Sequence, residues 1–366
     1  MHVLTIRMLV RRLLFAAIAS AGLVFAAGSP AHPETIGLSW SSSGRLLAFW
    51  SGSGLYVVNT VQGGVVRLTP DCTPGSCSPD GLKVAWSTES GTFVYRADTT
   101  ATVRVAEPGR ICGWSADSAM VLLESSPPRQ ASEIYAAEAD GKGATPLAPH
   151  PAADRDPAWS PDGRWIAFVS TREAAGCDIW VVGWDRSNLT RVTSMFEATE
   201  PVWSPDGSKL AFVGRVVKAA PRQIYSLDFR TRKLAAITSA AEGDCRAPKF
   251  VGPYGLRYVG AQAVIVDLRT GKKHSLPSGD VAPDGATLAL LPGRPGSLDL
   301  VRLSDGTRRA LDKGVEAETW SPDGGWIAYL ALTTGPGRGT VRELRIASRD
   351  AKGVYVLWSE GVRDRG

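Results

Sequence analysis

Histidine is scarce in this sequence, which has four in 366 residues: His2, His32, His150 and His274. None of them belongs to a Ser-His-Asp pattern, and the chain has no G-x-S-x-G sequence. His and Cys residues are also not spaced closely enough for a zinc site. These absences argue against a serine hydrolase and a zinc centre. We therefore predict no catalytic residue, no metal site and no cofactor.

Cysteine is also limited, to Cys72, Cys77, Cys112, Cys177 and Cys245, and no C-x-x-C motif occurs. In an exported protein this number permits two disulfides and one free thiol, with a structural rather than a redox role. We expect Cys72–Cys112 and Cys177–Cys245, with Cys72–Cys77 as an alternative. Cys77 is otherwise expected to be a buried thiol.

The N-terminus has the pattern of a secretory signal peptide. Arg7, Arg11 and Arg12 precede an uncharged apolar run, residues 13–27, which is followed by the small residues "GSPA". We predict a signal peptide over residues 1–31, one domain over residues 32–366, and a periplasmic or secreted protein without a membrane span after cleavage. An uncleaved anchor helix is the alternative, although the run is short for a span.

The remaining charge does not indicate nucleic-acid binding. The whole chain has a net charge of +5, and loss of the three leader arginines lowers it to about +2. The other Lys and Arg residues are scattered among predicted turns and outer strands rather than gathered into one stripe. We therefore expect a solvated surface and no nucleic-acid partner.

One motif recurs along the chain: "WSPDGRWIAFVS" from Trp159 returns as "WSPDGSKLAFVG" from Trp203 and "WSPDGGWIAYLA" from Trp320. The first motif position repeats every 31 to 47 residues, at Trp40, Cys77, Trp114, Trp159, Trp203, Phe250, Val281 and Trp320. A period of about 40 residues with four short strands per repeat is typical of a β-propeller. The sequence predicts an all-β propeller of eight four-stranded blades, with seven as the alternative because one interval is short.

Each part of the motif has a structural explanation. "SPDG" suits a type I turn, and the turn acids (Asp80, Asp162, Asp206, Asp284 and Asp323) are expected to serve that turn rather than one shared site. The aromatic residue before the turn is expected to wedge between neighbouring blades. The predicted wedges are Trp40, Trp114, Trp159, Trp203, Phe250 and Trp320.

The repeats resemble the TolB-type β-propeller repeat, a pattern of Pro, Trp, "SPDG", "IAF-S" and a following "DIYV-D". The match is close at "PAWSPDGRWIAFVS…CDIWVV", "PVWSPDGSKLAFVG…QIYSLD" and "ETWSPDGGWIAYL". The resemblance implies a propeller with a scaffold role at the cell envelope. Because the repeats begin directly after the leader and run to the C-terminus, we expect a stand-alone propeller rather than TolB itself.

The strongest candidate for a binding site lies on the connections that enter the innermost strands. In a propeller these connections open on one face, around the mouth of the central channel, where charges would form a mostly acidic rim. The predicted rim residues are Arg110, Asp154, Arg155, Asp156, Glu197, Glu200, Asp244, Arg246, Glu316 and Glu318, with Glu242 beside them.

Three functions fit such a rim. The first is a monomeric module that binds a protein or peptide partner at the cell envelope. The second is a hydrolase or lyase working in the propeller funnel with Asp and Arg. The third is a cation-binding or glycan-binding module. A deep pocket in which acids and an Arg converge would favour the enzyme, whereas an exposed, chemically mixed rim suits binding.

Overall fold

The computed structural model describes residues 37–70, 75–126, 130–173, 176–277, 279–335 and 338–361. The predicted signal peptide and Cys72 lie outside these ranges. Within them the regular structure is β-strand, apart from one 3-10 turn, η1 (Ala240–Glu242). Strands that follow one another in the chain pair side by side, mostly in groups of four. Each such group is called a blade.

The first four blades occupy the N-terminal half of the chain. Their strands are β1 (Gly37–Trp40), β2 (Leu46–Ser51), β3 (Gly54–Asn59) and β4 (Val65–Thr69) in blade 1; β5 (Ser76–Cys77), β6 (Lys83–Thr88), β7 (Gly91–Arg96) and β8 (Ala101–Ala106) in blade 2; β9 (Arg110–Trp114), β10 (Met120–Ser125), β11 (Glu133–Glu138) and β12 (Ala144–Pro146) in blade 3; and β13 (Asp154–Trp159), β14 (Trp165–Ser170), β15 (Asp178–Gly183) and β16 (Thr190–Arg191) in blade 4.

The C-terminal half continues the same order. Its strands are β17 (Glu197–Trp203), β18 (Lys209–Arg215), β19 (Gln223–Asp228) and β20 (Leu234–Ala236) in blade 5; β21 (Arg246–Val251), β22 (Gly255–Val259), β23 (Ala263–Asp267) and β24 (Lys273–Leu276) in blade 6; then β25 (Gly279–Val281), β26 (Thr287–Leu290), β27 (Gly296–Arg302), β28 (Arg308–Trp320), β29 (Trp326–Gly335), β30 (Arg338–Ser348) and β31 (Val354–Gly361) in one seven-stranded sheet.

That seven-stranded sheet holds two blades that share a strand. The first part of β28 pairs with β27, as far as Val315, and completes blade 7. From Val315 onward β28 pairs with β29 and becomes the innermost strand of blade 8. The sheet therefore counts as two repeats, and the prediction of an all-β propeller with eight four-stranded blades is confirmed.

The described residues divide into two compact units. The first contains residues 37–77 and 276–361, which include blades 1, 7 and 8. The second contains residues 78–275, which include blades 3 to 6 and most of blade 2. Within the described ranges, no helix has the length and apolar character needed to cross a membrane.

Strand β14 is buried on both faces because blade 4 lies between blades 3 and 5. In β14, Ile166 and Phe168 join an apolar cluster with blade 3, whereas Ala167 faces a cluster with blade 5. The alternation follows from the two-residue period of a strand. Burying a side chain the size of Phe168 contributes about 2–3 kcal/mol to stability.

The aromatic residue at the motif start lies between adjacent sheets. Trp203 is 6% exposed and packs with Ala158 and Ala167 of blade 4. Its indole N–H donates to the carbonyl of Ala158 at 3.1 Å. Trp320 is placed in the same way in the first unit, where its indole N–H donates to the carbonyl of Asp280 at 3.2 Å. An interior hydrogen bond of this kind removes the cost of burying the indole nitrogen.

The "SPDG" turn carries its own hydrogen bonds. In blade 4, the Gly163 N–H donates to the Ser160 carbonyl at 2.9 Å, as in a type I turn, with Gly163 at φ +70°. The Ser160 hydroxyl donates to Asp162 at 2.6 Å and accepts the Trp165 N–H at 2.9 Å. The same pattern recurs around Asp80, Asp206 and Asp323. Each of these turn acids therefore serves its own turn.

The first and last blades pack against each other inside the first unit. Trp40, Leu47 and Phe49 of blade 1 form one apolar cluster with Leu330 and Leu344 of blade 8. These residues lie nearly the whole length of the chain apart in sequence. The contact gives Trp40 the same inter-blade position as the wedges inside the chain.

Candidate functional site

The innermost strands of blades 4, 5 and 6 each contain a bulge three residues before the wedge aromatic. The residues at these positions are Asp156, Glu200 and Ala247, with φ values of 50°, 54° and 53°. The strand register shifts at each of them. Non-glycine residues rarely adopt positive φ, because each one costs about 1–3 kcal/mol and persists only where its surroundings hold it there.

In two of these bulges, the backbone N–H donates to a carboxylate of the preceding blade. The Asp156 N–H donates to Oε2 of Glu124 in blade 3 at 2.9 Å. The Ala247 N–H donates to Oε2 of Glu200 in blade 5 at 2.7 Å. A bulge takes its N–H out of the strand ladder, so an outside acceptor is needed to satisfy it. Glu200 is thus both a bulge residue and the acceptor for the next bulge.

Two arginines surround the carboxylate of Asp156. Arg110 lies across blades 3 and 4 and forms ion pairs with Glu124 and with Asp156, the second at 2.8 Å. The Nε atom of Arg155 lies 3.9 Å from Asp156, and its Nη2 atom donates to the Cys177 sulfur at 3.5 Å. Both arginine side chains are more than a third exposed, so this group of charges faces solvent.

Glu200 is in a different electrostatic position. Burial raises the pKa of its carboxyl group, and the nearby charge of Asp156 raises it further. The Ala247 N–H and the charges of Arg222 and Arg246 act in the opposite direction but do not cancel the shift. Among the described residues, no cation forms an ion pair with Glu200. Its carboxylate is therefore half-buried, held by one backbone hydrogen bond and not paired with a cation.

These residues lie together in the second unit. We name them the bulge cluster: Arg110, Glu124, Arg155, Asp156, Glu200 and Arg246. Sequence reasoning found all of them except Glu124, which lies in β10 rather than on a connection. A signal for Glu124 was available, because it is the direct antiparallel partner of Arg110.

Asp154 differs from the prediction of a rim residue. Its side chain is 1% exposed and forms an ion pair with Arg172 at 2.8 Å. The Arg172 guanidinium also lies over the rings of Trp180 and Phe168, at 4.9 and 5.4 Å. Asp154 is therefore an interior residue that holds blade 4 together. The reason is its place as the first residue of β13, where it pairs with Ser170 of β14.

The other predicted rim residues of the second unit are mostly engaged in local contacts. Glu197 forms ion pairs with Arg215 at 2.5 Å and with Arg222 at 3.1 Å. Asp244 accepts the backbone N–H of Arg222 at 2.7 Å and remains exposed. Arg246 is exposed beside the third bulge.

Glu316 and Glu318 belong to the first unit, whereas the bulge cluster belongs to the second. Glu316 forms a two-point ion pair with Arg342, at 2.6 and 3.0 Å. Glu318 has a side chain that is 4% exposed and lies 3.4 Å from Arg294. Burial raises the pKa of Glu318 to about 7, against the opposing charge of Arg294.

The described cysteines are free thiols, so the expected Cys177–Cys245 disulfide is wrong. Cys245 is buried in the layer between blades 5 and 6, whereas Cys177 lies at the start of β15, beside Glu197. Different inter-blade layers hold the two sulfurs. Cys77 is a buried thiol that donates to the Ser39 carbonyl at 3.3 Å, and burial raises its pKa to about 12. The two pairings that involve Cys72 lie outside the described residues.

The cluster combines both signs of charge with backbone-anchored carboxylates. Within the ranges that the structure describes, no group of three or more His, Cys, Asp and Glu side chains is placed to hold a metal ion. The chemistry available at the bulge cluster is ion pairing and hydrogen bonding: Glu200 can accept from a cation, and the arginines can donate to an anion.

Comparison with solved structures supports the fold. A putative TolB from Agrobacterium tumefaciens is 25% identical, with 56% of this chain and 81% of that chain covered and a TM-score of 0.43. Dipeptidyl peptidase 4 from Porphyromonas gingivalis is 13% identical, with 88% and 59% covered and a TM-score of 0.62. A eukaryotic initiation factor is 16% identical, with 94% of each chain covered and a TM-score of 0.56. The last two likenesses show a shared fold, and the chain spans about three fifths of the peptidase.

No curated protein matches the sequence. The family model of the TolB β-propeller domain matches residues 66–253, more than half of the chain, and this stretch contains the whole bulge cluster. The chain therefore belongs to the TolB β-propeller domain family.

Proposed function

We propose that this protein is an exported propeller of the cell envelope that binds a basic segment of a protein or peptide partner through the bulge cluster. Export rests on the predicted signal peptide over residues 1–31, and the envelope scaffold role rests on what membership of the family implies. The binding role rests on the charges of the second unit.

The observation that carries this proposal is the carboxylate of Glu200. It is half-buried, it is held in place by the Ala247 N–H, and no cation pairs with it among the described residues. A Lys or Arg side chain of a partner would supply the missing charge. Because the carboxylate is partly removed from water, such an ion pair would be stronger than one on an open surface.

The neighbouring charges favour an extended segment over a single small cation. Asp156 occupies the equivalent position in the adjacent blade and influences Glu200 electrostatically. Arg155, which is partly exposed, lies beside Asp156, and the exposed Arg246 acts electrostatically on Glu200, so that each acidic group alternates with a basic one. A peptide that carries basic residues with acidic or polar neighbours would match this alternation, and mismatched charges would be rejected.

The test is binding to an array of short peptides whose sequences differ in the number of Lys and Arg residues. Residues 32–366 would be probed as the wild type, as Glu200→Gln, and as the matched control Glu107→Gln. The amide introduced by Glu200→Gln keeps an oxygen for the Ala247 N–H but loses the charge, while Glu107 is a carboxylate of the same unit that is 78% exposed. We expect the wild type and the control to prefer basic peptides, with binding about tenfold weaker for Glu200→Gln.

Equal binding by all three proteins, or no preference for basic peptides, would contradict the proposal. The enzyme alternative draws on the same convergence of acids and arginines. It predicts that bound peptides, or acidic and neutral glycans tested beside them, are cleaved, which mass spectrometry of the incubated ligands would detect. Binding without cleavage would favour the scaffold.

A further inference from the structure

A cavity of about 350 Å³ lies in the first unit, between the ends of blades 7 and 8. Its walls come from β26, β27, the start of β28, the β28–β29 turn and the turn after β30. The residues that line it include Thr287, Leu300, Arg302, Arg309, Ser348 and Arg349. These residues lie at the end of the blades where the "SPDG" turn follows the innermost strand. The bulges of blades 4, 5 and 6 lie before the wedge aromatic, toward the other end of that strand.

Three guanidinium groups line this cavity, and their charges are unequally compensated. Arg349 forms an ion pair with Asp284, and Arg302 lies 3.2 Å from Asp305. Arg309 donates to the backbone carbonyl of Asp350 and pairs with no carboxylate among the described residues. The cavity therefore keeps the positive charge of Arg309.

The orientation of Arg349 is fixed before any ligand binds. Its Nε atom donates to the hydroxyl of Thr287 at 2.9 Å, and Thr287 is 6% exposed. A guanidinium held on one edge presents its remaining N–H groups in a defined direction, which lowers the entropic cost of binding.

Acidic groups near the cavity are already occupied. The carboxylate of Asp350, which lines it, pairs with Lys352 at 2.8 Å and accepts the Ser348 hydroxyl at 2.7 Å. Asp284 is used by Arg349. Asp350 would therefore repel an incoming anion less than an unpaired carboxylate would.

We propose that this cavity binds a small organic phosphate or sulfate ester. The arginines come from three separate elements, so they approach from different directions, which suits a tetrahedral oxyanion better than a planar carboxylate. The volume exceeds what a bare phosphate would fill and lies in the range of small-molecule sites, and Leu300 supplies an apolar wall for an organic group.

The test is calorimetric titration of the full mature chain with phenyl phosphate, inorganic phosphate and acetate. Chloride would keep the ionic strength constant, because screening alone changes the behaviour of surface charges. The variants are Arg309→Ala and the matched control Lys313→Ala, which removes one positive charge from an exposed position of the same strand. We expect phenyl phosphate to bind most tightly, phosphate more weakly and acetate at least about tenfold more weakly than phosphate.

Arg309→Ala is expected to weaken phenyl phosphate binding by at least about tenfold, and Lys313→Ala is expected to leave it unchanged. Near-ultraviolet circular dichroism without ligand would verify that both variants fold. Absence of saturable binding to the folded wild type would overturn the proposal, as would an equal loss in the two variants. Acetate binding as tight as phosphate would overturn the assignment to tetrahedral oxyanions.

Discussion

Glu200 and Asp206 lie three residues on either side of Trp203, yet their carboxyl groups respond to the fold in opposite directions. Burial raises the pKa of Glu200. The hydrogen bond from the Ser204 hydroxyl is the main reason that the pKa of Asp206 is lowered. The hydrogen-bond donors to Asp206 lie within two residues of it, whereas the donor to Glu200 lies 47 residues away.

Blade 4 repeats this contrast around Trp159. Asp162 in the turn accepts the Ser160 hydroxyl and the Arg164 N–H, both from its own turn. Asp156 at the bulge pairs with Arg110 of the neighbouring blade. A turn whose partners are local can recur unchanged in many blades, while a bulge residue must suit its particular neighbour. This explains why the turn sequence repeats and the bulge sequence varies.

The largest expected effect comes from removing Trp203, the aromatic residue between the bulge and the turn. Trp203→Ala deletes a side chain that is 6% exposed and leaves the Ala158 carbonyl without its indole donor. We expect a loss of about 3–5 kcal/mol in the free energy of unfolding, measured in urea. Trp184→Ala is the control, because Trp184 is 56% exposed and should cost under about 1 kcal/mol. Similar losses for the two variants would argue against the wedge.

Glu318 of blade 8 is a buried carboxyl group near a wedge residue, and its effect on stability can be tested by varying the pH. The pKa of Glu318 is raised from 4.5 to about 7, so the folded state holds a proton that the unfolded state releases. Its contribution to stability is fully present below about pH 4.5 and is lost as the pH rises to about 7. Relative to Glu318→Gln, the wild type should lose up to about 3 kcal/mol across this window.

Urea unfolding at several pH values would measure this loss, with Glu107→Gln as the exposed control. Asp280 and Arg294 are the charges that act on Glu318, and their effects oppose each other. Parallel stability curves for the wild type and Glu318→Gln would show that the carboxyl group titrates normally.

The smallest expected effect compares Glu200 and Asp206 directly. Asp206 has a lowered pKa, so its contribution is present above the unfolded pKa of 3.8 and disappears as the pH falls. Glu200 has a raised pKa, so its contribution is present below 4.5 and disappears as the pH rises. The difference between wild type and Asp206→Asn should therefore grow with pH, and the difference between wild type and Glu200→Gln should shrink. If the two stability differences changed with pH in the same direction, the contrast between Glu200 and Asp206 would be wrong.

Much of the fold could be predicted because its signals are local. Ser, Pro, Asp and Gly specify the turn within four residues, and the strand after it alternates Ile166 and Phe168 toward one face. The site was harder to predict. Glu124 is missed because its role depends on a bulge in the next blade, and Asp154 is misplaced because its burial depends on Arg172, which lies in the connection after β14.

The sequence by itself determined the repeat, the turn and the wedge, because each needs only residues close together in the chain. The tertiary structure decided which carboxylates are paired with a cation. In the folded protein Asp154 is buried against Arg172, Asp156 forms an ion pair with Arg110, and Glu200 accepts a backbone N–H. The physical reason is that the state of a carboxylate depends on its solvation and its nearest charges, which here belong to other strands and neighbouring blades.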